Sequence, residues 1–201
     1  MQSFLKYNGQ EISRPEALFD TFQDQLARVG IFSLSECADN QLMWAHYARS
    51  HTGLAIGFKS DLGNKLGSAE NTLQVTYQAA KPVFGEDFIT KIAINAQPGS
   101  RSGVSAKSQL TIGFNDPTFR AAFATKPLDW SYEKEWRYVE ESSGLFPWPG
   151  PVVCVVFGLK MPNDRREHYA KLVSKEVPNR VAFHEIRMSG DSLALFNAPV
   201  S

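Results

Sequence analysis

Residues Ile31 to Phe58, IFSLSECADNQLMWAHYARSHTGLAIGF, carry strand, turn, helix, turn and strand signals in unbroken succession, and any fold of this chain must accommodate that unit. Apolar and small polar residues alternate from Ile31 to Ser35, the pattern of a half-buried strand. Asp39 is placed to cap a helix over Asn40–Arg49, and Gly53 opens an apolar strand over Leu54–Phe58. Trp44, His46, Tyr47 and His51 all fall inside the unit.

Upstream, Leu18, Phe19, Phe22, Leu26 and Val29 recur at helical spacing over Arg14–Val29, with Pro15 suited to the first turn and Gly30 to the stop. Downstream, Ser60–Leu66 reads as a short helical turn closed by Gly67. Leu73, Val75 and Tyr77 alternate as a strand that Pro82 ends, and Glu86–Asn95 is a weak helix before a Ser/Gly-rich loop at Gln97–Ser108. Asp116-Pro117 starts a helix whose apolar face is Phe119, Ala122 and Phe123 and which Pro127 stops. From Tyr132 a strand would put Glu133, Glu135, Arg137 and Val139 on one face and Tyr132, Lys134, Trp136 and Tyr138 on the other. Val152–Leu159 is apolar throughout, which fits a strand covered on both faces. A helix over Asn163–Lys175 with Tyr169, Leu172 and Val173 inward, then strands at Val181–Met188 and Leu193–Phe196 joined by a turn at Ser189–Asp191, complete the chain. Helices interspersed among strands without a βαβ rhythm predict an α+β fold, with mixed, mostly antiparallel sheets and flanking helices.

At 201 residues and 43% hydrophobic content the chain can bury one substantial core, and residues 1–201 read as a single domain with a variable helical segment at 1–29. Lysine plus arginine total 21 and aspartate plus glutamate total 21, so net charge gives no reason to expect nucleic acid or an acidic membrane as partner. Cys37 and Cys154 fit reduced thiols better than a disulfide framework. No window reaches the roughly 18 apolar residues of a spanning helix, and the expectation is a cytoplasmic protein without a membrane partner. Glycine-rich dinucleotide and P-loop motifs, the G-x-S-x-G elbow, H-E-x-x-H and paired C-x-x-C are absent, which removes those enzyme classes.

The row of Glu133, Glu135 and Arg137 is the feature that points most directly to chemistry, because like charges two apart on a strand repel unless a cation, metal or substrate uses them. One carboxylate could stabilise an oxocarbenium-like transition state while the other acts as base, or the pair could share a metal; a solvated edge-strand ion pair needs neither. Ser33 and Ser35 share a strand face and could bind a ligand or the neighbouring backbone. Trp44 and Tyr47 form an aromatic stripe that serves either the core or a stacking platform. His46 and His51 are five apart, poor spacing for two ligands on one helix face, and no metal is expected.

Taken together, FSLSECADNQLMWAHYARSHTGLAIGF and the later TKPLDWSYEKEWRYV resemble a large bacterial family catalogued as domain of unknown function 2971. The matching positions are Phe32-Ser33-Leu34-Ser35, Asp39, Met43-Trp44, His46-Tyr47, Gly53, Phe58, Lys126, Trp130, Glu133, Glu135 and Arg137, and the resemblance makes 30–201 the family core. Members usually begin with a Lys/Arg-Tyr strand and an Asn-Asp-Pro-Phe-like segment. Only Phe4-Leu5-Lys6-Tyr7 is faintly similar, so an N-terminally shortened member is expected. The order Ser33-Leu34-Ser35, Tyr47, Glu133-Lys134-Glu135 is also similar to that of ADP-ribosyltransferases. That similarity implies NAD as substrate, a small nucleotide ligand, and a role as toxin or phage-defence effector. Glu135 would hold the nicotinamide ribose, Glu133 would orient the acceptor, Tyr47 or Trp44 would stack on nicotinamide, and Ser33, Ser35 and Arg137 would complete the site. A non-catalytic ligand- or protein-binding module is the alternative.

Overall fold

In the computed structural model, residues 6–7, 10–11, 23–24, 26–82 and 117–200 are described. The expected helix over Glu86–Asn95, the loop at Gln97–Ser108 and most of the expected helix over Arg14–Val29 lie outside them; residues 26–28 are helical. The short strands β1 (Lys6–Tyr7) and β2 (Gln10–Glu11) pair antiparallel.

The Ile31–Phe58 unit forms as β3 (Gly30–Ser35), α1 (Gln41–Tyr47) and β4 (Leu54–Phe58). Asn40, not Asp39, caps the helix. Its Oδ1 accepts from the amides of Leu42 at 2.9 Å and Met43 at 3.2 Å, satisfying donors that the first turn leaves free. The helix is also shorter than its periodicity implies, because Arg49, Ser50 and His51 turn left-handed, with φ of 48°, 53° and 70°. The amide of Gly53 then closes onto the Ala48 carbonyl at 2.8 Å and delivers the chain into β4.

Residues 60–67 form turns rather than a helix, because the Asn64 side chain caps the amides of Leu66 and Gly67, each at 3.1 Å. The alternating run that follows is two strands, β5 (Thr72–Gln74) and β6 (Thr76–Tyr77), which separate at Val75 and enter different sheets. Helix α2 (Pro117–Phe123) leads directly into β7 (Thr125–Lys126), which pairs parallel with β6.

After Pro127 the chain does not extend at Tyr132 as expected. Leu128–Glu133 is a 3-10 helix, Lys134 is left-handed at φ 44°, and β8 (Glu135–Glu140) starts one residue later. Proline with φ near −65° favours such a tight turn, and the left-handed Lys134 redirects the backbone into the strand. β8 lies between β3 and β5, antiparallel to both, with Ser35 opposite Glu135 and Ser33 opposite Arg137.

The second sheet has the order β11-β10-β9-β4, built on β9 (Val152–Phe157), β10 (Ala182–Met188) and β11 (Leu195–Pro199). β9 and β10 are parallel, joined across α3 (Asn163–Glu176), while the remaining pairs are antiparallel. Residues of β9 alternate between two cores. Val156 packs with Trp44, Ile186 and Leu195 on the α1 side; Val155 and Phe157 pack with Met161 and, from α3, Tyr169, Ala170 and Val173. Leu172, expected inward, is exposed, since the 3.6-residue period that turns the half-buried Tyr169 and Val173 to the core leaves it off the face. The architecture is α+β with largely antiparallel sheets and flanking helices.

Candidate functional site

The antiparallel β3–β8 register puts Ser33, Ser35, Glu135 and Arg137 on one face, and the α1 and 3-10 helices bring Tyr47 and Glu133 to the same place. Glu133 and Glu135 are 2% and 4% exposed, values at which a carboxylate needs compensating charge. Lys126 supplies it. Its Nζ lies 2.5 Å from Glu133 Oε2 and 2.7 Å from Glu135 Oε2. Arg137 adds a fork on the other side of Glu135, with Nε 2.9 Å from Oε1 and Nη2 3.2 Å from Oε2, and a further bond to the Phe123 carbonyl. Ser33 donates to the Glu135 carboxylate.

These contacts fix protonation. Burial works to raise the Glu135 carboxyl, but hydrogen bonds from Arg137, Lys126 and Ser33 outweigh it and hold it at about 2, so it is ionised at neutral pH. Burial likewise works to lower Lys126, and its bonds to Glu133 and Glu135 prevail and raise it. The Tyr47 hydroxyl donates to Glu133 Oε1 at 2.7 Å, and this bond, aided by burial of the hydroxyl, pushes the phenol up to about 12.

The backbone around the carboxylates is held from three sides. Ser35 Oγ donates to the Glu133 carbonyl at 2.6 Å and accepts from the Cys37 amide at 3.1 Å. Asn40 Nδ2 donates to the Tyr132 carbonyl at 3.3 Å. Tyr77 Oη accepts the Glu135 amide at 2.8 Å. Ser35 therefore contacts the site through main chain and braces it.

Trp44 is not brought to the cluster. It is 3% exposed in the core against Val156, Ile186 and Leu195, with its indole N–H donating to the Ala38 carbonyl at 2.7 Å. Aromatic surface at the site comes from Tyr47, 61% exposed, and from Trp130, whose ring centroid is 5.6 Å from Lys126 Nζ. Trp130 and Tyr132 pack with centroids 6.0 Å apart. Lys126 and Trp130 enter the sequence reading only as positions of the family resemblance, without a chemical role; a Lys before Pro and a Trp in a turn gain one only once β6 and β7 pair.

Among the described residues no group of three or more His, Cys, Asp or Glu is placed to hold a metal ion. His51 lies elsewhere, with Nδ1 buried and without a partner among the described residues; burial, and then Lys160, lower its pKa. An open groove of ≈ 550 Å³, lined by Lys65, Trp148, Val152, Val177 and neighbouring prolines, is also separate, and none of Lys126, Glu133 or Glu135 lines it. No helix among the described residues is long and apolar enough to cross a membrane.

Lys126, Glu133, Glu135 and Arg137 are thus joined to Tyr47 in one ionic cluster, drawn from residues 47–137. Residues 43–138 match the family described as protein of unknown function (DUF2971). The DUF2971 match takes in α1 from Met43 onward, both carboxylates, Lys126, Trp130 and Arg137, and stops short of Ser33 and Ser35 on β3. No curated protein and no solved structure was found to match the chain.

Proposed function

We propose that the chain acts on NAD as an ADP-ribosyltransferase-like protein or NAD glycohydrolase, with the reaction centred on Glu135. The observation that carries this reading is convergence: Ser33 on Glu135 and Tyr47 on Glu133, with the two carboxylates joined at one ammonium. The bond between nicotinamide nitrogen and ribose C1′ breaks with its electron pair leaving on nicotinamide, and the ionised Glu135 stabilises the positive charge developing at C1′. An acceptor oxygen or nitrogen, or water, then bonds to C1′ and gives up a proton, with Glu133 positioned to orient it. Tyr47 and Trp130 offer the stacking surface for nicotinamide, since Trp44 is enclosed in the core.

The test is NAD itself. NAD should raise the melting temperature, nicotinamide should be released, and Glu135→Gln should abolish release while the chain stays folded. Unchanged melting in millimolar NAD, together with no nicotinamide release, would overturn the reading.

One observation favours a binding module instead. Both oxygens of Glu135 are already held by Arg137 and Lys126, a satisfied network that can serve as architecture. In that case Glu135→Gln lowers stability and leaves ligand binding intact.

A further inference from the structure

The Lys126 ammonium sits where two buried carboxylates and an aromatic face meet: 2.5 Å from Glu133, 2.7 Å from Glu135 and 5.6 Å from the centroid of Trp130. This is the composition of a cation-binding cage, with anionic oxygens supplying charge and a ring quadrupole supplying a face. The ammonium arrives on a flexible four-carbon stem from β7, and its side chain is partly exposed, so it can leave toward solvent without unfolding its strand. Arg137 differs. Its fork is fixed on Glu135 and also reaches the Phe123 carbonyl, which ties it to α2.

The charges agree with exchange. Glu133 and Glu135 are balanced by Lys126 and Arg137, so withdrawing the ammonium leaves one net negative charge next to an exposed tyrosine and tryptophan. A departing lysine is best replaced by another cation, and a planar one can use the face that Trp130 already presents to the Lys126 ammonium.

We infer that Lys126 is an internal stand-in for a planar organic cation, which displaces it from Glu133, Glu135 and Trp130 when ligand binds. The identity of that cation rests on the NAD reading above, where it is the pyridinium of the nicotinamide group. Lys126 is then a positioning residue. It keeps the carboxylates correctly spaced until the ligand arrives, and it competes with the ligand for the same oxygens.

Competition predicts an effect of opposite sign to that of a structural bridge. Removing an internal competitor raises ligand affinity by the factor with which it occupied the cage, about tenfold or more. Titration calorimetry with 1-methylnicotinamide, a pyridinium cation, should therefore show tighter binding to Lys126→Met than to the wild type, with neutral nicotinamide gaining nothing. In the unliganded state Lys126→Met should melt lower, and the cation should restore the loss. Lys126→Arg keeps the charge and folds without ligand. Its guanidinium holds the two carboxylates in several bonds at once, so it should bind the cation about tenfold more weakly than the wild type.

A Lys126→Met chain that binds the cation no better than the wild type, or a Lys126→Arg chain that binds it equally well, overturns the inference. Cation binding that responds to Lys126 in this way without release of nicotinamide from NAD leaves the cage standing and removes the NAD reading. Turnover of NAD with unresponsive Lys126 variants does the reverse.

Discussion

The hydroxyl of Tyr47, a side chain 61% exposed, donates at 2.7 Å to a carboxylate of Glu133 that is itself 2% exposed. A surface residue thus forms the outer wall of a buried ionic cluster, and the bond links the α1 helix to the turn that precedes β8. Tyr47→Phe removes that bond and leaves the ring. It should cost about 1 kcal/mol in denaturant unfolding, below the usual range for a bond to a charged group because the phenol borders solvent. Ultraviolet titration offers a second readout. Because the folded phenol is raised to about 12, above its ordinary value of 10.0, the folded state binds the extra proton between these values. The associated stability is complete below pH 10 and is lost as pH rises toward 12. The Tyr47→Phe difference spectrum should lack one late-titrating tyrosine.

Glu135 sets the opposite slope at acid pH. Its carboxyl, at about 2 against an ordinary 4.5, binds its proton later in the folded chain than in the unfolded one. Stability from this group is therefore full above pH 4.5 and declines as pH falls toward 2. Melting temperatures measured between pH 6 and pH 3 should fall steeply for the wild type and more gently for Glu135→Gln. Parallel curves would show that the Arg137 and Lys126 bonds to Glu135 do not persist in solution.

Trp44 separates packing from recognition. Trp44→Ala opens a cavity among Val156, Ile186 and Leu195 and removes the bond to the Ala38 carbonyl, a loss of about 3–5 kcal/mol for a buried tryptophan. Chemical denaturation should show that loss, whereas Trp130→Ala should leave the midpoint nearly unchanged and weaken ligand binding. Equal effects of both on the midpoint would contradict the placement of Trp130 at the solvent edge of the cluster.

Much of the scaffold was legible because local rules agreed with one another. The alternation before Ser35, the polar cap before Gln41 and the glycine at Gly53 place β3, α1 and β4 to within a residue or two. The helix ended early because three consecutive left-handed residues follow it, a conformation that Arg49, Ser50 and His51 do not advertise. Period-two reasoning put Glu133 in line with Glu135, yet the left-handed Lys134 lies between them. The carboxylates still meet, because Lys126 draws both to one ammonium. Lys126 itself was invisible as chemistry. Its position depends on the parallel pairing of β6 with β7, a long-range contact that no local pattern encodes.

That pairing has a consequence for which lengths of chain this fold can tolerate. The run 72–77 holds both halves of the cluster: β5 lies along β8, which carries Glu135, and β6 lies along β7, which carries Lys126. At the changeover the Val75 amide donates to the Glu135 carbonyl at 2.9 Å and the Thr76 amide to the Ala124 carbonyl at 2.6 Å. The segment works as a ruler between the two strands. Adding or deleting one residue there would slide one strand against the other by about 3.3 Å, more than a hydrogen bond can span. Homologous chains should therefore vary in length freely at their surface turns and keep this stretch at constant length even where its side chains differ.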